Sequence, residues 1–592
     1  MIITNLRTWT YEDSMEGLLF FAQRILELSY DKTEFSEKRV SVSALDIVNE
    51  CLEYINLEER GLFNVSNSEL DSLFTELVDA IRSSKTIKGV LGDKLEYYLS
   101  KLSVDADKKV TKNVLEILRM KLKSGDYYSL LKHDLKDCII NFRKKDELHN
   151  ITTSFFQFLL SYGYQKGTVY FLTNKHFFDR SGINKISSID DIDTFTSLFD
   201  LEKKKFEVVF TASNLFMEIK DSCKKFKLEL SEEKESLYNE ALEGKFYKNT
   251  KKKKLFISCK DIRAVDYQHA MRKAKDRVSF LLDLFVVFSH RNKPWVSDYC
   301  LVYKHDKHNV VNISKQGNAM HSLGEQEFSY TKKIFPIFIS QFGLQTESFQ
   351  RFNRCVELHS HALDTDEVAS QIVNLWICLE TLLITNKTNS HIGRVVDTVS
   401  LINSFYAVRK RIASLSDLLV KWNKEAFEQA KEKIGISDDE KATAALVGVE
   451  EYEPMAVELL DLMGDQPLLR YKFFLLVRDM QTRSGVKLFI EKETIRCKRD
   501  INRAYRSRNK IVHQGNVNDH EDYLVETIHH YLDLMLFAII ERKVSFNDIR
   551  TIDNFIQEMR INVECHNSFL SGDQKNKITK DEFANILFGP QN

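Results

Sequence analysis

Proline is scarce in this chain, 5 in 592 residues, and glycine is held to 20. So few chain-breaking positions leave little room for a turn-rich β fold and favour a helix-rich build. The nine cysteines are scattered and no pair has C-x-x-C spacing, so neither a zinc site nor a disulfide framework is expected. Reduced thiols and a cytoplasmic location follow. Neither sign of charge is in excess, with 85 Lys plus Arg against 86 Asp plus Glu. Any nucleic-acid site must therefore be a local patch. No apolar run reaches the roughly 18 residues of a membrane span. The N-terminal MIITNLRTWTYEDS lacks the basic stretch and apolar core of a signal peptide. There is no G-x-x-x-x-G-K-[ST] and no H-E-x-x-H, which argues against a P-loop ATPase and a zincin protease. In HSHALDTDE, residues 359 to 367, His359 and His361 are two apart and diverge on a helix, so no metal site is read there. SGDQKNKITKDE, Ser571 to Glu582, is a poor calcium loop. It has Ser571 for the first Asp, Lys575 at a ligand position and Asn576 for the turn Gly, and reads as a surface helix hairpin. No metal and no cofactor are expected.

What is present is apolar bulk: 43% hydrophobic residues, including 40 Phe, enough for full cores. The length suggests about three or four domains. Residues 1–200 read as a helical region, with apolar residues at three- and four-residue steps over Ala44 to Ile55, Leu70 to Ile81, Val110 to Leu122 and Tyr127 to Phe142. Two more helical runs follow, split near Gly163. Residues 201–343 read as α+β. Strands are predicted at Phe206 to Ala212, Lys225 to Leu230, Leu255 to Cys259, Tyr299 to Tyr303 and Val310 to Ile313, with a helix from Val265 to Ser289. The runs Lys203 to Lys205 and Lys251 to Lys254 are solvated loop charge or a phosphate-contacting patch. Residues 344–545 turn helical again: Glu347 to Leu363, Glu367 to Thr385, Arg394 to Phe405, Ile412 to Ala430, Leu468 to Met480, Glu493 to Gln514 and His520 to Glu541. Asp438 to Glu453 reads as an acidic loop or small insertion. Residues 546–592 form a C-terminal helical tail. The fold class is mainly α with a smaller α+β region and an all-α helical bundle at the C-terminal end.

The most informative segment is RSRNKIVHQG, Arg506 to Gly515, which carries Arg508, Asn509 and His513. Metal-free RNA cleavage needs an imidazole that moves a proton near neutral pH and a guanidinium that holds phosphate oxygens. On a helix Asn509 and His513 are one turn apart, so the Asn amide can fix the imidazole tautomer. Arg508 lies about 140° round the axis from His513, so one helix does not turn both to one phosphate. Two copies facing each other would, which favours a composite, symmetric site. The spacing by itself is weak, since about one R-x4-H match is expected by chance. A second, Arg354 to His359, lacks the Asn and reads as structural or solvated. Gly515 closes the motif helix as a cap glycine.

The segment AYRSRNKIVHQGN, Ala504 to Asn516, resembles the signature of the ApeA-like branch of HEPN-domain ribonucleases, Tyr-Arg-x-Arg-Asn-x-x-Val-His-x-Gly. NLWICLETLL (Asn374 to Leu383, with Trp376 and Glu380), PLLRYKFFLLV (Pro467 to Val477) and YLVETIHHYLD (Tyr523 to Asp533) are similar to other blocks of that family. The resemblance covers about 345 to 545. It implies an all-helical, dimeric HEPN domain that cuts RNA without metal, leaving 2′,3′-cyclic phosphate and 5′-hydroxyl ends. Arg508 and His513 match the catalytic pair and Asn509 the polar residue after the Arg. Arg503 and Arg506 would hold flanking phosphates, with Lys510 beside them as a further RNA contact. Tyr505 and Glu380 would support the site, Glu380 either by pairing with an Arg or by tuning the chemistry. The Tyr that HEPN toxins paired with nucleotidyltransferase antitoxins carry two residues after the His is Gly515 here.

In that chemistry the 2′-OH is the nucleophile. His513 takes its proton, a second His513 or a water protonates the leaving 5′-oxygen, and Arg508 stabilises the phosphorane. The expected function is a cytoplasmic endoribonuclease in bacterial anti-phage defence by abortive infection. It would act on tRNA or another structured RNA as a homodimer, under control of a phage-derived trigger or inhibitor sensed by residues 1–343, and away from membranes. Two alternatives stand beside it: a non-catalytic HEPN scaffold that binds RNA or nucleotide, and an enzyme whose site lies in the α+β region.

Overall fold

In the computed structural model, placement is described for residues 3–31, 33, 42–61, 67–179, 185–232, 255–288, 294–304, 307–312, 318–321, 336–337, 339–340, 343–384, 391–515, 521–545, 549–572 and 577–590. Helix accounts for 75% of it, with one small antiparallel sheet. The chain is thus mainly α with a smaller α+β region, as the periodicities predict. It divides into two compact units: Asn5–Tyr30 with Val40–Gly317, and Asn318–Asn592 with Met1–Thr4 and Asp31–Arg39.

The first of these units opens with the helix Glu16–Ser29, buried along almost its whole length. Sequence reading passes it over because EGLLFFAQRILELS has no polar face; a helix apolar all round belongs in a core. Helices Ala44–Glu59, Asn67–Ser83, Lys108–Leu122, Gly125–Ile140, Lys145–Tyr162 and Lys166–Phe177 follow. Gly163 ends the fifth of these in the left-handed conformation, φ +116°. Five strands then form an antiparallel sheet in the order β2-β3-β1-β4-β5: β1 Lys204–Ala212, β2 Leu228–Ser231, β3 Leu255–Ala264, β4 Val296–Lys304 and β5 Lys307–Asn312. Val208, Phe210 and Ala212 of β1 face the helix Tyr267–Phe288, meeting Ala270, Met271, Ala274 and Val278. Val209 points to the other face, against Phe256 and Leu301.

The alternation expected over Lys225 to Leu230 is corrected at its start. Lys220–Lys225 is a short helix, and Lys227 takes a positive φ before β2 begins. Lys204 and Lys205 are engaged by Asp200 at 2.8 Å and Asp261 at 3.1 Å, the behaviour of charges on a solvated edge. Lys251 to Lys254 lie outside the described residues.

The second unit is all helical apart from isolated bridges, among the described residues. Its helices are Thr346–Asp364, Val368–Leu383, His391–Ile434, Asp439–Gly448, Glu453–Leu462, Pro467–Met480, the motif helix Arg483–Gln514, Asp522–Ser545, Ile552–Leu570 and Phe583–Phe588. Three expectations are corrected here. The two runs predicted between Arg394 and Ala430 are continuous through Tyr406 and Val408, which are buried. The break falls instead at Asn423, whose Oδ1 caps the N–H of Ala426 at 3.1 Å. Asp438 to Glu453 is mostly a helix, not a loop. Its acids sit at the helix N-terminus, with Asp438 accepting from the N–H of Lys441, while Ala442 to Val447 are core. The segment after Ser571 is no free surface hairpin. Ile578 is buried and donates its N–H to Gln481, and Arg483 Nη2 meets Glu582 at 2.6 Å.

The helix Asp522–Ser545 is central. By length and composition its stretch Asp522–Lys543 could cross a membrane, yet Leu524, Val525, Ile528, Tyr531, Leu532, Met535 and Ala538 all enter the protein core. That packing accounts for its apolar character.

Candidate functional site

The motif helix begins ten residues before the expected Glu493, because Thr482 caps it, its hydroxyl accepting the N–H of Gly485 at 3.1 Å. Gly485 has no room for a side chain: a Cβ there would lie 2.3 Å from the carbonyl of Asp479. At the other end Gly515 adopts φ +63° and donates its N–H to Ile511 at 2.8 Å. Between these caps the helix crosses two hydrophobic clusters. Val486 enters one, and Cys497, Ile501 and Ala504 enter the other, beside Trp376, Leu379 and Tyr531.

Three contacts hold the motif end of the helix. Tyr505 packs on the fully buried Trp376, ring centroids 5.3 Å apart. The Ser507 hydroxyl donates to Glu521 at 2.8 Å within the buried interior. The Tyr531 hydroxyl donates to Asp500 at 2.9 Å. Ser507, Glu521, Asp500 and Tyr531 were not singled out in the sequence, since a single Ser or Tyr on a helix carries no signal until its partner is known. Glu380 is half-buried on the helix beneath and makes no ion pair among the described residues, so the expected pairing with an Arg is not found.

Arg508 is half-buried, and its Nη1 donates to Oδ1 of Asn509 at 2.9 Å; Asn509 is buried. His513 stands exposed in the last turn, beside exposed Val512. One unbroken helix carries both residues, so Arg508 and His513 keep the 140° divergence expected of ideal geometry. Arg503, Arg506 and Lys510 are buried, and each is engaged by other groups of the chain. Their position does not support the flanking-phosphate role: solvent-borne RNA does not reach side chains turned into the bundle.

A second group of titratable side chains is formed by tertiary packing. His359 lies on the helix Thr346–Asp364, and His529 and Asp533 lie one turn apart on Asp522–Ser545. The two imidazoles meet Nε2 to Nε2 at 2.8 Å. Asp533 Oδ1 is 3.5 Å from the first and its Oδ2 is 3.4 Å from the second. Burial pushes the Asp533 carboxyl up to about 7, with Lys410 opposing the rise, and burial holds the His359 imidazole below its usual range. The sequence held half of this, the H-x-x-x-D spacing of His529 and Asp533. The neighbours of His359 come from another helix rather than from His361 two residues on.

The chain matches no family model, no curated protein and no solved structure.

Proposed function

We propose that this protein is an endoribonuclease of the HEPN type, in which His513 and Arg508 cleave RNA by transesterification from the 2′-OH. One observation carries the reading. A single capped helix holds Arg508, Asn509 and His513 in sequence, with the guanidinium oriented by its neighbour and the imidazole open to solvent at the helix end. An exposed imidazole at the helix end can accept the 2′-OH proton. A guanidinium already held by Asn509 is partly preorganised for the charge that grows on phosphorus.

The 140° divergence calls for two copies. Ile495 lies about five full turns before His513, and Leu488 about two turns earlier, so all three share one side of the helix. All three are exposed. Exposed Leu488 and Ile495 in the first half of the helix suit a helix that meets its twin, bringing Arg508 of one copy towards His513 of the other. The substrate class is tRNA or another structured RNA, the setting cytoplasmic anti-phage defence by abortive infection, and the unit Asn5–Tyr30 with Val40–Gly317 would restrain the nuclease until a phage-derived trigger arrives.

Incubation with total RNA in EDTA, followed by mapping of the ends, tests the reading. Wild type should leave 2′,3′-cyclic phosphate and 5′-hydroxyl termini, and His513→Ala should not. Equal cleavage by both proteins would overturn it. The burial of Arg503, Arg506 and Lys510 favours the rival reading, a non-catalytic scaffold. That rival predicts no cyclic-phosphate ends from either protein and equal toxicity in cells.

A further inference from the structure

We propose that His359, His529 and Asp533 form a binding site for one divalent transition-metal ion, with zinc the ion that the ligand set fits best. The site would pin the helix Thr346–Asp364 to the helix Asp522–Ser545. It is separate from the Arg508 and His513 chemistry and does not depend on it.

Three facts support it. The first is donor type. Two imidazole nitrogens and one carboxylate are the set that zinc and its first-row neighbours prefer, whereas magnesium and calcium favour oxygen alone. The second is convergence. Three side chains from two helices turn their ligand atoms to one point, all within 4.8 Å of one another. In a tetrahedral site with metal–ligand bonds of about 2.0–2.1 Å, neighbouring ligand atoms lie about 3.3 Å apart. The carboxylate sets one oxygen beside each ring, Oδ1 3.5 Å from His359 and Oδ2 3.4 Å from His529, so a small rotation brings one oxygen towards both. The imidazoles, at 2.8 Å, need to part by only about half an ångström. The third is electrostatic. Two Nε2 atoms at hydrogen-bond distance, with a carboxylate against both, place several lone pairs in one small space. One proton between the rings satisfies part of that, and a dication satisfies all of it.

The site is also built for exchange. His529 is buried, while His359 and Asp533 keep partial exposure, so an ion can enter and water can complete the coordination. Lys410 is the group that opposes it. Its ammonium lies 3.3 Å from Nε2 of the adjacent His530 and acts on Asp533. Removing that charge should tighten the metal.

The experiment uses the full chain, stripped with EDTA, exchanged into chelator-free buffer and titrated with Zn2+ or Mg2+ by equilibrium dialysis. One zinc per chain should bind, and magnesium should not displace it. His359→Gln and Asp533→Asn should each weaken zinc by more than the roughly tenfold that loss of an outer-shell partner costs. Lys410→Met should strengthen it. These variants avoid buried His529, whose loss would threaten the fold. Cobalt in place of zinc should give visible bands without a thiolate charge-transfer band, because exposed Cys565 has no part in the site. Absence of stoichiometric zinc, unchanged affinity in both ligand variants, or loss of binding in Cys565→Ser would each overturn the proposal. Binding is the readout, so failure of the ribonuclease reading would leave the result interpretable.

Discussion

Asn509 accepts a hydrogen bond from Arg508, Nη1 to Oδ1 at 2.9 Å, between residues adjacent in the chain. Adjacent residues on a helix point about 100° apart, so the bond is made by the long guanidinium folding back to a short, buried amide. Asn509 thereby acts on the arginine, while His513 one turn later stands in solvent. In the proposed ribonuclease the amide would be a positioning group for the arginine.

This orders the expected losses in RNA cleavage. His513→Ala should cost about 10²–10⁴ in rate, the usual contribution of a general acid–base group. Arg508→Ala should fall by about 10²–10³, as when a transition-state donor is removed. Asn509→Ala should lose about tenfold, and Arg508→Lys should recover little, since an ammonium lacks the planar fork. Single-turnover rates with circular dichroism as a fold control provide the check. An Asn509→Ala protein slower than His513→Ala would reverse the assignment.

A site shared between copies makes a distinctive prediction. Arg508→Ala and His513→Ala should each be strongly impaired alone, but a mixed dimer would keep one intact site with Arg508 from one chain and His513 from the other. Co-expression should restore activity to up to about half of wild type per mixed dimer, by the symmetry of a two-fold interface. No recovery in purified heterodimers would place both groups in one chain.

Two glycines of the motif helix should differ in their sensitivity. Gly515→Ala meets no neighbour but must hold φ +63°, which costs about 1–2 kcal/mol. Gly485→Ala would place a Cβ 2.3 Å from a backbone carbonyl, and the helix start must shift. A loss of about 1–3 kcal/mol or more follows from such overpacking. Urea unfolding should therefore rank Gly485→Ala below Gly515→Ala in midpoint.

His566 supplies a pH dependence. Its imidazole is buried, with Nε2 donating to the carbonyl of Ile586 at 2.7 Å, and burial holds its pKa below the ordinary value. The folded state then takes up its proton less readily than the unfolded state. The associated stability is present above about pH 6.5 and is lost as pH falls through the lower folded value. Thermal melts from pH 7.5 to 5 should fall more steeply for wild type than for His566→Gln, which keeps a donor but does not titrate. Parallel curves would show that another group governs the acid limb.

Much of this was legible in the chain. The helix Pro467–Met480 and the end of the motif helix at Gly515 lie where apolar spacing and cap chemistry put them, because those signals are local. The start of the motif helix was not, because Thr482 and Gly485 act through a tight approach to Asp479. The buried helix Asp439–Gly448 was masked by its acids, which belong to its N-terminus rather than to a loop. Arg503, Arg506 and Lys510 looked like an RNA-facing row, and only the packing of the bundle shows them turned inward.

The sequence by itself determined the helical character of the chain and the order Arg508, Asn509, His513 on one helix, since periodicity and capping depend on residues a few positions apart. Tertiary structure alone decided which of those side chains meet solvent, tied Ser507 to Glu521, and brought His359 against His529 and Asp533. Those contacts join residues far apart in the chain, and no local spacing records them. They exist because burying the apolar face of Asp522–Ser545 brings the neighbouring helices against it and carries their polar groups along.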